Sequence, residues 1–339
     1  MSAGAYTGAD LPYGSDQTTF GQPMAPVVVP GRRDAEAAAI TTPPRTQLQQ
    51  SWDAFRGHRA AFVGLCVLGV MIVVCTFGPF VLQSPTAIDM NVLAATPPSS
   101  HHLLGTDTIG RDVLSRLVNA GRTSLAIGFV VAIGATALGA IIGVMAGYFG
   151  GRIDGMLMWV VNVLMTIPSL PLLMSVAVLV ANPSSALGPA VKGIPEWIRI
   201  AIVMVALGWM GISRVVRSQV ISLRSQEFVE AARALGAKDT RIMFLHILPN
   251  CISVIAVFTT LAVSGAIIGE SALSFLGMGV QPPTATWGNM LAEGRDLFAI
   301  LNYWWTVWFP ALAIFITVLS VNFIGDGVRD ALDPKSMKK

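Results

Sequence analysis

Glu270 is the acidic residue in the most unusual setting, because it lies within the apolar run 251–276. A carboxylate inside a membrane-spanning helix indicates a functional site by default, since burial of its charge is costly. A straight helix places Glu270 about 29 Å beyond Cys251, near the outer membrane interface. Two interpretations stay open. Glu270 is either part of a pathway or outer gate, or it makes a structural contact with arginines of an outer loop.

The other residues that could support chemistry are scattered. Cys66, Cys75 and Cys251 have no second Cys or His at a metal-ligand spacing, so we interpret them as small core residues. The four histidines and the carboxylates form no cluster typical of a membrane enzyme. No G-x-x-x-x-G-K-[ST] phosphate loop occurs, so the chain is not expected to bind ATP in the usual way. We therefore predict no catalytic residue, no metal and no cofactor in this chain.

The elements that position these residues follow from composition. Hydrophobic residues make up 53% of the 339 residues, charged residues 12%, and the mean hydropathy is +0.65. The apolar residues form six blocks, each long enough to cross about 30 Å of hydrocarbon as a helix. We predict an all-α integral membrane protein with six transmembrane helices. The predicted spans are 61–82, 124–149, 156–181, 198–216, 251–276 and 303–325.

Lys and Arg residues predict the orientation of these spans. The N-terminal residues do not have the order of a cleaved signal peptide, so the first block is expected to be retained. Residues 1–50 are rich in Gly, Pro, Ala and Thr, which predicts a disordered tail. If that tail is cytoplasmic, 16 of the 22 Lys and Arg residues fall on the inner side. Both termini are therefore predicted to be cytoplasmic, with lipid around the spans.

Two of the predicted spans contain a residue pattern that predicts how the helix packs or bends. Gly139, Gly143 and Gly147 recur every four residues and predict a smooth stripe for close helix packing. Pro168 and Pro171 remove backbone donors from the third span and predict a bend. The bend is either a wall of a pathway or a packing kink, and the sequence leaves both interpretations open.

The longest inner connection, 214–248, is charged and strongly patterned. Its segment Gln226–Leu235 is predicted to form a helix with two i,i+3 ion pairs and one apolar stripe. The ion pairs are Arg224/Glu227 and Glu230/Arg233, and the stripe is Phe228, Ala232 and Leu235. This connection is the only inner segment long enough to act on a separate energy-supplying partner.

A second short helix is predicted after this first one. Gly236 is expected to end the first helix, because glycine adopts the left-handed conformation common at helix ends. Asp239 is expected to cap the second helix, and Pro249 is expected to end it. Two helices broken at a glycine would form a rigid knob that can push on a cytoplasmic partner.

Several motifs resemble those of one transporter family. Glu230-Ala231-Ala232, Gly236 and Leu248-Pro249-Asn250 are similar to the EAA loop of binding-protein-dependent ABC permeases. The outer-loop motifs, 269–277, Trp287-Gly288 and 325–330 resemble the DppC/OppC-type permease subunits of dipeptide, oligopeptide and nickel importers. The resemblance covers roughly residues 51–335. It implies that the ATPase-coupling residues are Glu230, Ala231, Ala232, Gly236, Ala237 and Pro249.

The resemblance also implies an architecture and partners. The fold would be that of a type I (MetI-like) ABC importer permease in the bacterial inner membrane. Residues 51–123 would hold the first span and an outer loop, and residues 124–335 a five-helix core. A homologous DppB/OppB-like sister permease would supply the other half of the path. Two DppD/DppF-like ATPases, separate or fused, would bind ATP and Mg, and an extracytoplasmic binding protein would deliver cargo.

Cargo and docking stay open at this stage. Short peptides are the expected cargo, with nickel, glutathione or another small solute as alternatives. Arg111, Asp112 and Arg116 either line the docking surface for the binding protein or belong to a solvated interfacial helix. An ion-coupled secondary transporter would need ionisable residues near the midplane, and the spans offer none apart from Glu270. Nucleic acid is not an expected partner.

Overall fold

The computed structural model describes residues 47–92, 95–182, 184–185 and 188–332. Over these residues the chain is α-helical, with no β-strand and only two isolated β-bridges in the loop before Val113. The principal helices are α1 (Gln47–Gly57), α2 (Arg59–Phe77), α3 (Val113–Phe149), α4 (Gly151–Thr166), α5 (Ser169–Ala181), α6 (Glu196–Gly208), α7 (Met210–Leu223), α8 (Glu227–Ala234), α9 (Asp239–Arg241), α10 (Ile252–Phe275), α11 (Trp287–Glu293), α12 (Leu297–Asn302) and α13 (Trp305–Leu332).

The predicted spans correspond to these helices with shifted ends. Four described helical segments are each long and apolar enough to cross a membrane: Arg59–Phe80, Val113–Phe149, Asp239–Phe275 and Trp305–Leu332. The third and fourth predicted spans are each a pair of helices joined at a bend, which brings the number to six if each pair is one span. The all-α membrane fold is thus confirmed.

Two predicted boundaries fall inside helices. Residues 47–50 of the predicted tail belong to α1, and the rest of the tail lies outside the described residues. Residue 123, where we divided the chain, lies within α3, which begins at Val113. The Asp112 carboxylate caps this helix by accepting a 2.8 Å hydrogen bond from the backbone N–H of Ser115. The first turns of α3 were not predicted as part of the span, because they are polar and the prediction used only runs of apolar residues.

Helix α3 packs most extensively against α7, α10 and α6. The glycine stripe faces α7, as predicted. A Cβ atom on Gly143 would lie 2.6 Å from the backbone carbonyl oxygen of Ser213, and one on Gly147 would lie 2.7 Å from the Cβ atom of Val220. Only glycine allows two helix backbones to approach this closely.

Both bent spans are broken rather than gently curved. Helices α4 and α5 meet at 94°, and α6 and α7 meet at 41°. Pro168 is the N-cap residue of α5, and Pro171 lies in its first turn, where a missing backbone N–H does not cost a helical hydrogen bond. The predicted bend is confirmed, and it is sharper than a single proline kink.

Candidate functional site

Helix α8 is the first half of the predicted coupling segment. It spans Glu227–Ala234, within one residue of the prediction at each end. Its buried residue is Val229, which is 0% exposed and packs with Val144 and Ile242. The predicted stripe is divided, because Ala232 packs against this core whereas Leu235 is 88% exposed and Phe228 is also exposed. These two side chains leave apolar surface on the outside of the segment.

Gly236 ends the helix as predicted. Its φ of +78° is in the left-handed region, and the N–H of the following residue, Ala237, bonds the carbonyl of Ala232. After α9, the chain continues through a π-helical turn, Ile242–Ile247, and a 3-10 turn, Leu248–Cys251, into α10. Pro249 therefore does not end a helix. It lies at the start of the 3-10 turn, where its missing N–H is tolerated.

The implied coupling residues occupy the surface of this segment. Glu230, Ala231, Gly236 and Pro249 are exposed. Ala232 and Ala237 are half-buried and pack against the core formed by α3, α7 and α8. The structure thus leaves four of these six residues at the surface, and the two half-buried alanines pack against the core.

A tyrosine that the sequence analysis missed holds this segment to the end of α3. The hydroxyl of Tyr148 donates a 2.6 Å hydrogen bond to the carboxylate of Asp239, which is not the N-cap we predicted. The guanidinium of Arg233 lies 6.0 Å from the Tyr148 ring centroid. Its contact with the Tyr148 hydroxyl raises the pKa of Arg233 above its ordinary value.

The two predicted ion pairs of α8 do not form. Arg233 faces Tyr148, and Arg224 donates a 3.2 Å hydrogen bond to the carbonyl of Gly147. A different pair joins the neighbouring helices. Both the Nε and an Nη atom of Arg217 donate to the Asp154 carboxylate, at 2.5 and 2.6 Å, and connect α7 to α4. Local spacing could not reveal this pair, because its members are far apart in sequence.

A buried cluster of four charges lies at the other end of α3. Arg116, only 4% exposed, donates from Nη1 to Asp107 at 2.6 Å. It also makes two hydrogen bonds, of 2.6 and 2.8 Å, to the two carboxylate oxygens of Glu293 in α11. Arg111 contacts the same two acids, at 2.6 and 2.9 Å. The cluster contains two cations and two anions, so its charges balance.

This cluster changes the interpretation of the predicted docking residues. Arg116 is buried and Arg111 is mostly buried, while Asp112 caps α3 and contacts Nδ1 of His102 at 3.0 Å. All three side chains therefore have internal partners. Arg111 and Arg116 join the loop before α3 and the first turn of α3 to α11, while docking of a binding protein at these three residues stays a prediction. Asp107 and Arg111 have i,i+4 spacing that could have indicated a pair, but no sequence signal pointed to Glu293.

Glu270 is completely buried among hydroxyl groups. Ser124 Oγ donates to one carboxylate oxygen at 3.2 Å, and Ser274 Oγ donates to the other at 2.7 Å. Ser124 Oγ also accepts the backbone N–H of Trp287 at 3.2 Å. The partners of Glu270 are thus the hydroxyl groups of two serines and Thr286, and not the arginines that the sequence suggested. The contact joins α10, α3 and α11 at one point.

The bend predicted from proline lines a cavity. Pro168 is among its lining residues, whereas Pro171 and Glu270 are not. Within the part of the chain that the structure describes, no group of three or more His, Cys, Asp or Glu residues could hold a metal ion. The structure therefore offers two candidate sites. One is the cavity at the two broken spans, and the other is the segment of α8 and α9, which follows α7 in the sequence.

The fold defines an α-helical protein with several helices able to cross a membrane. Residues 139–338 match the family described as binding-protein-dependent transport system inner membrane component. Residues 46–98 match the N-terminal TM domain of oligopeptide transport permease C. The chain belongs to the family of binding-protein-dependent transport inner membrane components.

Proteins of similar sequence align with most of this chain. It is 37% identical over 305 residues to the dipeptide transport system permease protein DppC of Bacillus subtilis, covering 89% of this chain and 90% of that protein. It is 39% identical to the oligopeptide transport system permease protein OppC of the same organism, over 84% and 88% of the two chains. The di/tripeptide transport system permease protein DppC of Pseudomonas aeruginosa is 37% identical, over 85% and 92%.

Proposed function

We propose that this chain is the permease subunit of an ABC importer of short peptides and forms half of the translocation path. The similarity to dipeptide, oligopeptide and di/tripeptide permeases over nearly the whole of both chains is the observation that supports this most strongly. Two partner ATPases would bind ATP and Mg. A sister permease and an extracytoplasmic binding protein would complete the importer, in the inner membrane, with both termini cytoplasmic.

The α8–Gly236–α9 segment is the proposed contact for the ATPases. It exposes the apolar side chains of Phe228 and Leu235, which a partner groove could bury. Its inner face is anchored through Val229 and the Tyr148–Asp239 hydrogen bond, so a force on the segment would reach α3. We expect an EAA-type loop to combine an exposed apolar surface with an inner face that is anchored to the spans.

The first experiment is purification of the tagged chain in mild detergent. Co-purified proteins are identified, and ATP hydrolysis is measured with a binding protein loaded with di- and tripeptides. Co-purifying ATPases and a sister permease, with peptide-stimulated hydrolysis, would support both the class and the cargo. Partners without peptide stimulation would refute peptide cargo and retain the importer. A chain that purifies alone would contradict the importer assignment and favour an ion-coupled transporter.

A glycine substitution tests the coupling segment. Gly236 and Gly277 share positive φ values of +78° and +79°, and a Cβ at either would meet nothing within 4 Å. Alanine at each site therefore adds a similar backbone strain of about 1–2 kcal/mol and no clash. We expect Gly236→Ala to reduce the uptake driven per ATP hydrolysed, and the matched control Gly277→Ala to leave this ratio unchanged. Equal ratios in the two variants would contradict the coupling role.

A further inference from the structure

A small recess lies between α5, α6 and the loop that connects α10 to α11. Its volume is about 80 Å³, and its lining includes the charged side chains of Glu196 and Arg199, both in the first turn of α6. Ala177 and Ile200 also line it and belong to the buried core of α3, α5, α6 and α10. The recess is therefore backed by packed protein and has room for about two or three water-sized groups.

Arg199 lacks a partner within the part of the chain that the structure describes. Its side chain is half-buried, its Nε atom is buried without a hydrogen-bond partner, and no ion pair joins it to a described residue. The α5–α6 loop positions outside the described residues are Pro183, Ala186 and Leu187, which have no ionisable side chain. A buried donor without an acceptor is costly, so we expect another molecule to supply an anionic acceptor here.

Glu196 lines the same recess and does not pair with Arg199. Its Oε2 atom accepts the backbone N–H of Gln281 at 3.0 Å, which holds the carboxylate beside the loop after α10. The i,i+3 spacing of Glu196 and Arg199 would allow an ion pair, but the recess instead presents one anion and one cation separately. A phosphate or an acidic side chain would be attracted by Arg199 and repelled by Glu196. A zwitterion matches both charges.

We propose that this recess binds the two charged ends of a short peptide, with Arg199 holding the carboxylate and Glu196 the ammonium group. The inference rests on the proposed function and names the chemical feature of the cargo that is recognised. Every peptide with free ends carries these two charges, whatever its side chains.

The dimensions and the location suit such a ligand. Cβ atoms three positions apart on a helix are separated by about 5–6 Å, and two extended residues span at most about 7 Å, so the ends of a dipeptide fit this separation. The side chains of the peptide would remain at the opening of the recess. In the proposed orientation, with both termini cytoplasmic, the α5–α6 loop is extracytoplasmic. The recess would therefore meet cargo before it crosses the membrane.

Modified peptides test the recess without altering the protein. The probe is radiolabelled alanyl-alanine, and its binding to the purified complete importer, without binding protein or ATP, is measured by scintillation proximity. We expect the C-terminal amide and the N-acetyl form to compete about tenfold less well than the unmodified dipeptide, because each lacks one charge-assisted contact. Equal competition by the three compounds, or no binding of the dipeptide, would overturn the inference.

Variants of the two charged residues assign each end of the peptide. We expect Arg199→Gln to bind the free dipeptide and its amide equally, and Arg199→Lys to recover part of the preference, since lysine keeps the charge. Glu196→Gln should instead lose the preference for the free ammonium group. The matched control is Arg295→Gln, because Arg295 is an exposed arginine that does not line the recess and donates a long, 3.5 Å hydrogen bond to the carbonyl of Phe275. This control should keep both preferences.

The outcomes separate the recess from the proposed function. A preference for the free carboxylate that persists in Arg199→Gln would overturn the inference. Weaker stimulation of ATP hydrolysis by the binding protein in Arg199→Gln, with unchanged peptide preferences, would assign Arg199 to a protein contact and would also overturn it. In both cases, stimulation of the wild type by peptide-loaded binding protein would leave the proposed function intact. Absence of that stimulation in the wild type would refute peptide cargo itself.

Discussion

Replacement of Arg116 by methionine tests whether the charged cluster at the N-terminal end of α3 is structural. Methionine keeps much of the length of the arginine stem and removes its charge and donors. Arg116 makes three hydrogen bonds of 2.6–2.8 Å to Asp107 and Glu293, and it is 4% exposed. The substitution would leave two carboxylates facing one cation, Arg111.

The expected magnitude follows from what remains after the substitution. Removal of one partner of a buried ion pair costs about 3–5 kcal/mol. Asp107 would keep Arg111 Nε at 2.6 Å and two backbone N–H donors, and Glu293 would keep Arg111 Nη2 at 2.9 Å. Because both acids retain a donor, we expect the lower end, about 3 kcal/mol. This corresponds to a loss of roughly 4 °C in thermal midpoint for a chain of this size.

The assay is thermal unfolding of the purified complex in detergent, together with ATPase stimulation by the binding protein. The matched control is Arg122→Met, since Arg122 is an exposed arginine on the same helix. The double variant Arg116→Met with Glu293→Gln should recover part of the stability, because it removes one uncompensated carboxylate. An unchanged midpoint in Arg116→Met, combined with weaker stimulation, would refute this reasoning and restore the docking interpretation.

Three other perturbations follow from the structure. Gly143→Ala would bring a Cβ within 2.6 Å of a backbone carbonyl of α7. We therefore expect the free energy of unfolding to fall by about 1–3 kcal/mol, measured as a lower thermal midpoint. An unchanged midpoint would contradict this close helix packing. Tyr148→Phe removes the 2.6 Å hydrogen bond to Asp239, and we expect less uptake per ATP hydrolysed at normal expression, whereas an unchanged ratio would exclude a coupling role. The backbone N–H of Asn91 is the main factor that lowers the pKa of Asp89 below its ordinary value of 3.8. This carboxylate therefore stabilises the loop before α3 fully above that pH and loses its effect as the pH falls through the lowered pKa. Thermal midpoints measured between pH 3 and 7 should therefore fall less steeply in Asp89→Asn than in the wild type, and parallel curves would count against this contribution.

Features encoded over a few neighbouring residues were predictable. Runs of apolar residues long enough to cross a bilayer located the four long apolar helices and the two bent helix pairs, because each helix satisfies its own backbone in lipid. Gly236 was identified as a helix end, and its φ is indeed positive. The stripe of Gly139, Gly143 and Gly147 indicated a close helix contact, since spacing of four residues places these positions on one face.

The orientation of α8 was not predictable from its own pattern. The segment offers Val229 as well as the stripe of Phe228, Ala232 and Leu235, and its pattern does not say which of these apolar side chains are covered. Val229 is buried because the core beneath it, with Val144 and Ile242, is contributed by other elements. Periodicity identifies faces of a helix, and only neighbouring helices decide which face is covered.

The sequence by itself determined the membrane class, the spans, the glycine break and the family resemblance, because these depend on local composition and spacing. The tertiary structure alone decided which charges pair. Arg116 and Glu293 are 177 residues apart, and Ser124 and Glu270 are 146 apart. The tertiary structure also brought the two broken spans to one cavity. No local pattern encodes such contacts, since a buried charge takes whichever partner the packing of distant helices places within hydrogen-bond distance.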